Sequence, residues 1–261
     1  MKKSIFCLIP GIIEDERSWK PLIDKLGKDN CIVINIPGFG SPKIINKLNQ
    51  ETFNKYIEDK LTELNLLNEN IVFVGHSLGS ILIVGTLKYL KIKKAKYVLI
   101  SFPYSSDYLA LESKEIIKYT SSLKPETIKL YQETVAKDDI FTKTIFSAFR
   151  YLFDYDMVLV DRVYGYDLMH DEFVISNAQV IRDACNILND FDYTDILDQI
   201  ASPTLIIQGE KDRRLNVNKV KTKTFQNSNI ELIFLDELTH AGFILEPDII
   251  SNKIVNWIDS K

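Results

Sequence analysis

The apolar run Ile71-Val72-Phe73-Val74 stops at Gly75-His76-Ser77-Leu78-Gly79, and a helical spacing of Leu82, Val84, Leu87 and Leu90 follows. The run predicts a buried strand and the later spacing predicts a helix, so five residues must reverse the backbone between them. G-x-S-x-G is a weak pattern alone. Between a strand and a helix it specifies a turn so tight that the two elements nearly collide. Glycine at 75 and 79 removes the two side chains that would clash. The turn would hold the Ser77 hydroxyl clear of the sheet, at a helix N-terminus whose free N–H groups favour negative charge. The plainer reading is an ordinary strand-turn-helix with a chance serine.

The rest of the chain repeats the same alternation. Residues 4–9 read as a strand ending at Pro10-Gly11. Trp19, Leu22, Ile23 and Leu26 then repeat at helical spacing up to Gly27, a C-terminal cap. Residues 31–36 form a second strand stopped by Pro37-Gly38-Phe39-Gly40-Ser41-Pro42, and Phe53, Tyr56, Ile57, Leu61 and Leu64 mark a helix. After the Ser77 turn come a strand over 97–103, another over 203–209, a helix through Val217, Val220 and Phe225, and a strand over 230–235. A final helix carries Ile250, Ile254, Trp257 and Ile258. Continuous apolar strands alternating with amphipathic helices predict an α/β fold, a parallel sheet covered on both faces.

The alternation is interrupted by helical stretches without a convincing strand. One carries Ile140, Phe141, Ile145, Phe146, Phe149 and Phe153; another carries Phe173, Val174, Ile181, Ala184 and Leu188. The expected division is a core of residues 1–103 and 192–261 with a helical insertion over 104–191. The insertion either packs its own aromatics as a small subdomain or covers the strand ends where such sheets bind ligands. An apolar-lined lid is the preferred reading.

Composition narrows the class. Of 261 residues 46% are hydrophobic, enough for a sizeable core, and the net charge of −4 argues against a nucleic-acid partner. The Lys-rich run from Lys88 to Lys96 sits where a helix C-terminus is expected, so a solvated surface explains it. Cys7, Cys31 and Cys185 are odd in number and show no CxxC spacing, which suggests buried free thiols in a reducing compartment. Met1-Lys2-Lys3 and the apolar residues after it imitate a short leader, but without a small-x-small cleavage site a strand explains them better. No apolar segment reaches the 18 or so residues of a membrane span. A cytoplasmic protein is expected.

Ser77, Asp212 and His240 each fall just beyond a predicted strand, in the order nucleophile, acid, base. His240 is the one plausible base. His76 adjoins the nucleophile and reads as structural, while His170 has acidic neighbours but no second ligand at metal-binding spacing. Glu210 and Asp236 compete with Asp212 for the acid position.

With these motifs the chain resembles the α/β-hydrolase fold, in its single-domain serine esterase form with a helical lid. Gly75-His76-Ser77-Leu78-Gly79 matches the nucleophile elbow, Gly209-Glu210-Lys211-Asp212 the strand-end acid, and His240 through Pro247 the terminal His segment. Asn35 through Ser41 resembles the family's D-x-P-G-x-G-x-S loop. The resemblance favours Asp212 as the acid. It implies a Ser77-His240-Asp212 triad, no metal or other cofactor, and an oxyanion hole formed by the N–H groups of Leu78 and Ile12. The chain departs from the family at Pro10-Gly11, where His-Gly is commoner, and at Asn35, where Asp is usual. Starting directly at the strand before the oxyanion loop, it has room for six parallel strands. The resemblance implies the order second, first, third, fourth, fifth, sixth.

The implied activity is hydrolysis of a small or medium carboxylic ester or thioester. A lyase or carbon–carbon hydrolase would use the same triad and would need a polar group in the pocket; Arg150, Arg162 and Arg182 are candidates, though each suits a surface. A ligand-binding receptor with slow turnover is the reading from another class.

Overall fold

The structure is a computed structural model that describes residues 4–40, 47–87, 89, 90, 92, 95–137, 144, 159, 160, 163 and 168–261. Its centre is a six-stranded sheet: β1 (Ile5–Ile9), β2 (Cys31–Val33), β3 (Ile71–His76), β4 (Ala95–Ile100), β5 (Thr204–Gly209) and β6 (Ile230–Leu235). All neighbours run parallel, in the order β2-β1-β3-β4-β5-β6. That is the order expected from the sequence.

Successive side chains of a strand point to opposite faces, and the two cores follow that alternation. Phe6 and Leu8 of β1, Val72 and Val74 of β3, Val98 and Ile100 of β4, and Leu205 and Ile207 of β5 face one side. They pack there with Trp19 and Leu22 of the helix Glu16–Leu26 and with Ile250, Ile254 and Trp257 of the helix Pro247–Ser260. Cys7 and Ile9, Ile71 and Phe73, Tyr97 and Leu99 face the other side. Against them lie the helix Gln50–Glu63, with Phe53, Ile57 and Leu61, and the helix Leu78–Thr86, with Ile81 and Leu82. Phe73 and Tyr97 stack across adjacent strands with ring centres 5.6 Å apart.

A helical region is inserted between β4 and β5. Its described helices are Leu111–Ser122, Pro125–Val135, Leu168–Ile175 and Ala178–Asn189, followed by a short turn of helix at Thr194–Leu197. The two ends of the insertion are joined to each other: Ser105 pairs antiparallel with Asp192, and the Tyr193 N–H donates to the Tyr104 carbonyl at 2.9 Å. Val180, Ile181, Ala184 and Leu188 are buried in the same core as the sheet. Burying each of the larger side chains contributes roughly 1.5–3 kcal/mol, and besides packing on Leu111–Ser122 and Pro125–Val135 the helix meets the segment after β2, where Val180 lies beside Gly38 and Asp183 accepts from the Leu48 N–H.

Several elements differ from the sequence reading. The second strand ends at Val33, because the chain beyond Ile34 leaves the ladder for the Pro37–Gly40 turn. Phe173 and Ile181 lie on two helices and not one. Asn177 separates them: its side chain accepts from the N–H groups of Gln179 and Val180, and its own N–H donates to Gly38. The helix containing Val217 and Val220 stops at Lys221, before Phe225. Lys96 belongs to β4, where its Nζ donates to the Ile258 carbonyl, while Lys88, Lys91, Lys93 and Lys94 are outside the described residues. Cys7 and Cys185 are buried free thiols and Cys31 is half-buried. Ile140, Phe141, Ile145, Phe146, Phe149 and Phe153 also lie outside the described residues.

Candidate active site

The strand order reverses between β1 and β3, where β2 lies to one side and β4 to the other. Crevices at the C-terminal ends of strands form at such a point. Ser77 stands there, between β3 and the helix Leu78–Thr86, at φ 48° and ψ −114°. A non-glycine residue at positive φ stores on the order of 1–3 kcal/mol of strain. The flanking contacts hold it in place: the Ser77 N–H donates to Ile100 at 3.0 Å, and its carbonyl accepts from Ile81 at 3.2 Å. The glycines explain how the turn closes. A Cβ at Gly75 would lie 2.7 Å from the Ser80 nitrogen, and one at Gly79 would lie 2.3 Å from the Ile9 carbonyl oxygen. The close approach at Gly79 seats the start of this helix directly on the end of β1.

Leu78 is the first residue of that helix, so its N–H has no intrahelical acceptor. Ile12 lies in the loop after β1, and its N–H makes no hydrogen bond to any described residue. Two unsatisfied backbone donors therefore lie on segments in contact with each other. The next residue, Ile13, has φ 58°. Pro10 therefore leads into a loop whose shape is set partly by that conformation and partly by Glu14, whose carboxylate accepts from the Gly11 N–H at 2.6 Å.

Asp212 follows β5, and its side chain is fully buried. One oxygen accepts from the Arg214 and Leu215 N–H groups at 2.8 and 3.2 Å; the other meets His240 Nδ1 at 2.8 Å. Burial pushes this carboxyl up, but the charge and hydrogen bond of His240 and the backbone donor of Arg214 outweigh it. The group ends below the ordinary carboxylate value. The competing acids do not make this contact. Glu210 pairs with Lys221 at 2.6 Å, and Asp236 is exposed.

His240 lies in the loop after β6 with its side chain 17% exposed. Its carbonyl accepts from His76 Nε2 at 2.9 Å and from Ser101 Oγ at 3.2 Å, and Ser101 is itself at φ 50°. The His76 and His240 rings are 4.8 Å apart, so the Ser77 turn and the His240 loop are neighbours. Holding Nδ1–H on Asp212 leaves Nε2 as the nitrogen able to take a proton.

Sequence reasoning gave no role to Glu14, Ser101 or Glu172. Glu172, from the inserted helix Leu168–Ile175, is 1% exposed and accepts from the Asp15 N–H at 3.1 Å and the Ser18 hydroxyl at 2.8 Å. Burial, with the charges of Glu14 and Asp15 adding to it, pushes its carboxyl up to about 9. The alternation of apolar residues carries no trace of such long-range contacts. His170 lies apart, against Asp171 and the Val135 carbonyl. Among the described residues there is no cluster of three or more potential metal ligands. Arg182 is half-buried in the helix Ala178–Asn189; Arg150 and Arg162 are outside the described residues.

The model of the Alpha/beta hydrolase family matches residues 8–250. The chain belongs to this family. Solved structures agree in fold. A thermophilic esterase from Thermogutta terrifontis superposes with a TM-score of 0.73 at 16% identity, covering 99% of this chain and 90% of that one. MenH from S. aureus gives 0.69 at 16% identity, covering 100% and 95%. An N-acyl homoserine lactonase, solved with N-hexanoyl homoserine, gives 0.70 at 12% identity, covering 99% and 89%. No curated protein sequence matches the chain. It combines a parallel sheet with helices inserted between β4 and β5, and none of its described helices is long and apolar enough to cross a membrane.

Proposed function

We propose that this α/β hydrolase cleaves a small or medium carboxylic ester or thioester through an acyl-enzyme formed on Ser77. The observation that carries the reading is the combination of a strained serine at the end of β3 with an imidazole on a neighbouring loop held by a buried carboxylate. An alcohol is a poor nucleophile at neutral pH, so attack needs a base, and His240 Nε2 takes the Ser77 proton as the C–O bond forms. Asp212 fixes the tautomer and stabilises the imidazolium. The tetrahedral oxyanion is held by the N–H groups of Leu78 and Ile12, each worth about 3 kcal/mol in such sites. His240 then protonates the departing alcohol or thiol, and water repeats the sequence to release the acid.

The inserted helices over 104–191 act as the lid, their apolar residues contacting the acyl group or the alcohol, and the core is residues 1–103 and 192–261. The esterase and the lactonase of the same fold support attack on an acyl carbonyl. Free thiols suit work in the reducing cytoplasm. The test is a panel of p-nitrophenyl esters and acyl thioesters of increasing chain length. Saturable hydrolysis, reduced at least about 10⁴-fold in Ser77→Ala and in His240→Ala, is the expected result. Undiminished hydrolysis in Ser77→Ala would refute the reading.

A further inference from the structure

His76 is buried to 1% and sits between two acceptors. Its Nε2 faces the His240 carbonyl at 2.9 Å, and a carbonyl cannot donate, so the proton of that bond belongs to the ring. Its Nδ1 faces both oxygens of Glu14, at 2.8 and 3.0 Å, and Glu14 already accepts from the Gly11 N–H. One carboxylate thus bridges the Gly11 N–H and the His76 ring. We propose that His76 and Glu14 work as a positioning pair that fixes the Ile12 loop against the backbone of His240.

The contacts form one chain across three strand ends. Gly11 in the loop after β1 donates to Glu14, Glu14 accepts from His76 at the end of β3, and His76 donates to His240 after β6. Ser101, after β4, occupies the other lone pair of the same carbonyl, so the His240 peptide is held from two directions. Phe243, its ring 4.5 Å from that of His76, helps to close the site to water. His76 touches no reacting atom in this account. Its part is to keep an oxyanion donor and the base in register, where a displacement of 1 Å can cost about 10²-fold in rate.

This inference rests on the proposed hydrolase reading for its catalytic consequence, but not for the link itself. The first test is hydrogen–deuterium exchange of the resting protein. His76→Ala and Glu14→Ala should each speed amide exchange about 10-fold in the loop from Gly11 to Ile13 and around His240, while leaving the amides of β4 and β5 unchanged. Unchanged exchange in both segments overturns the proposal, whatever Ser77 does. The second test is a double-mutant cycle on the best ester. His76→Ala and Glu14→Ala should each lower kcat about 10–100-fold with little change in KM, and the double variant should be no worse than either, because both break the same link. Additive losses, or losses confined to KM, overturn it. Ester hydrolysis surviving Ser77→Ala would sink the hydrolase reading and leave the exchange result standing.

Discussion

Replacing Glu172 by glutamine should stabilise the protein by an amount that grows with pH. Its carboxyl ordinarily titrates near 4.5 and is pushed to about 9 in the fold, so the folded state keeps a proton that the unfolded chain releases. Unfolding is then favoured as pH rises, and wild-type stability falls from about 4.5 until about 9, where folded Glu172 also ionises. One proton is worth 1.36 kcal/mol per pH unit, so between pH 4.5 and pH 7 the wild type forfeits about 3 kcal/mol on this group. Glutamine never ionises, and its Oε1 still accepts from Asp15 and Ser18 where Glu172 does now. Urea denaturation at pH 5.5, 6.5, 7.5 and 8.5 reads the effect directly. The stability of Glu172→Gln minus that of the wild type should climb by about 1.4 kcal/mol per pH unit through this window. A difference that stays flat would show that folded Glu172 is ionised throughout and would refute the reasoning.

Two further outcomes follow from the site. In Gly79→Ala the new Cβ would meet the Ile9 carbonyl oxygen at 2.3 Å and the Pro10 carbonyl oxygen at 2.5 Å, and because both are backbone the helix must shift; urea titration should show a loss of at least about 2 kcal/mol, with ester hydrolysis falling alongside. Asp212→Asn keeps an oxygen for the Arg214 and Leu215 N–H groups but presents the wrong partner to His240 Nδ1, so kcat should drop about 10⁴-fold while Tm changes by only a few degrees; unchanged kcat would exclude Asp212 as the orienting acid.

The sheet was legible because most strands are apolar runs that end at or near glycine or proline, and because Ser77 needs glycine on both sides; β6, with Glu231 inside it, showed by its apolar residues alone. The His240–Asp212 contact was foreshadowed by their places beyond two strands, although periodicity alone left Glu210 and Asp236 open. Burial and hydrogen bonding separate them: Asp212 is enclosed among donors, and the other two point to a lysine or to solvent. The break at Asn177 was hidden because apolar spacing runs through it, and the turn is held by a bond to Gly38, far away in sequence. His76 read as structural from its position beside the nucleophile. Its partners lie 62 and 164 residues away, and no local pattern encodes contacts of that separation. Asn35, a departure from the family's usual Asp, donates to Glu16 and to the Gly40 carbonyl, which ties the two ends of its loop together.

The central claim is that Ser77 is an activated nucleophile, and a fluorophosphonate probe tests it without any need to know the substrate. The wild type should be labelled at a single site, tandem mass spectrometry should place the adduct on Ser77, and Ser77→Ala and His240→Ala should both lose it. An adduct on another residue, or labelling of Ser77→Ala at the wild-type rate, would contradict the account.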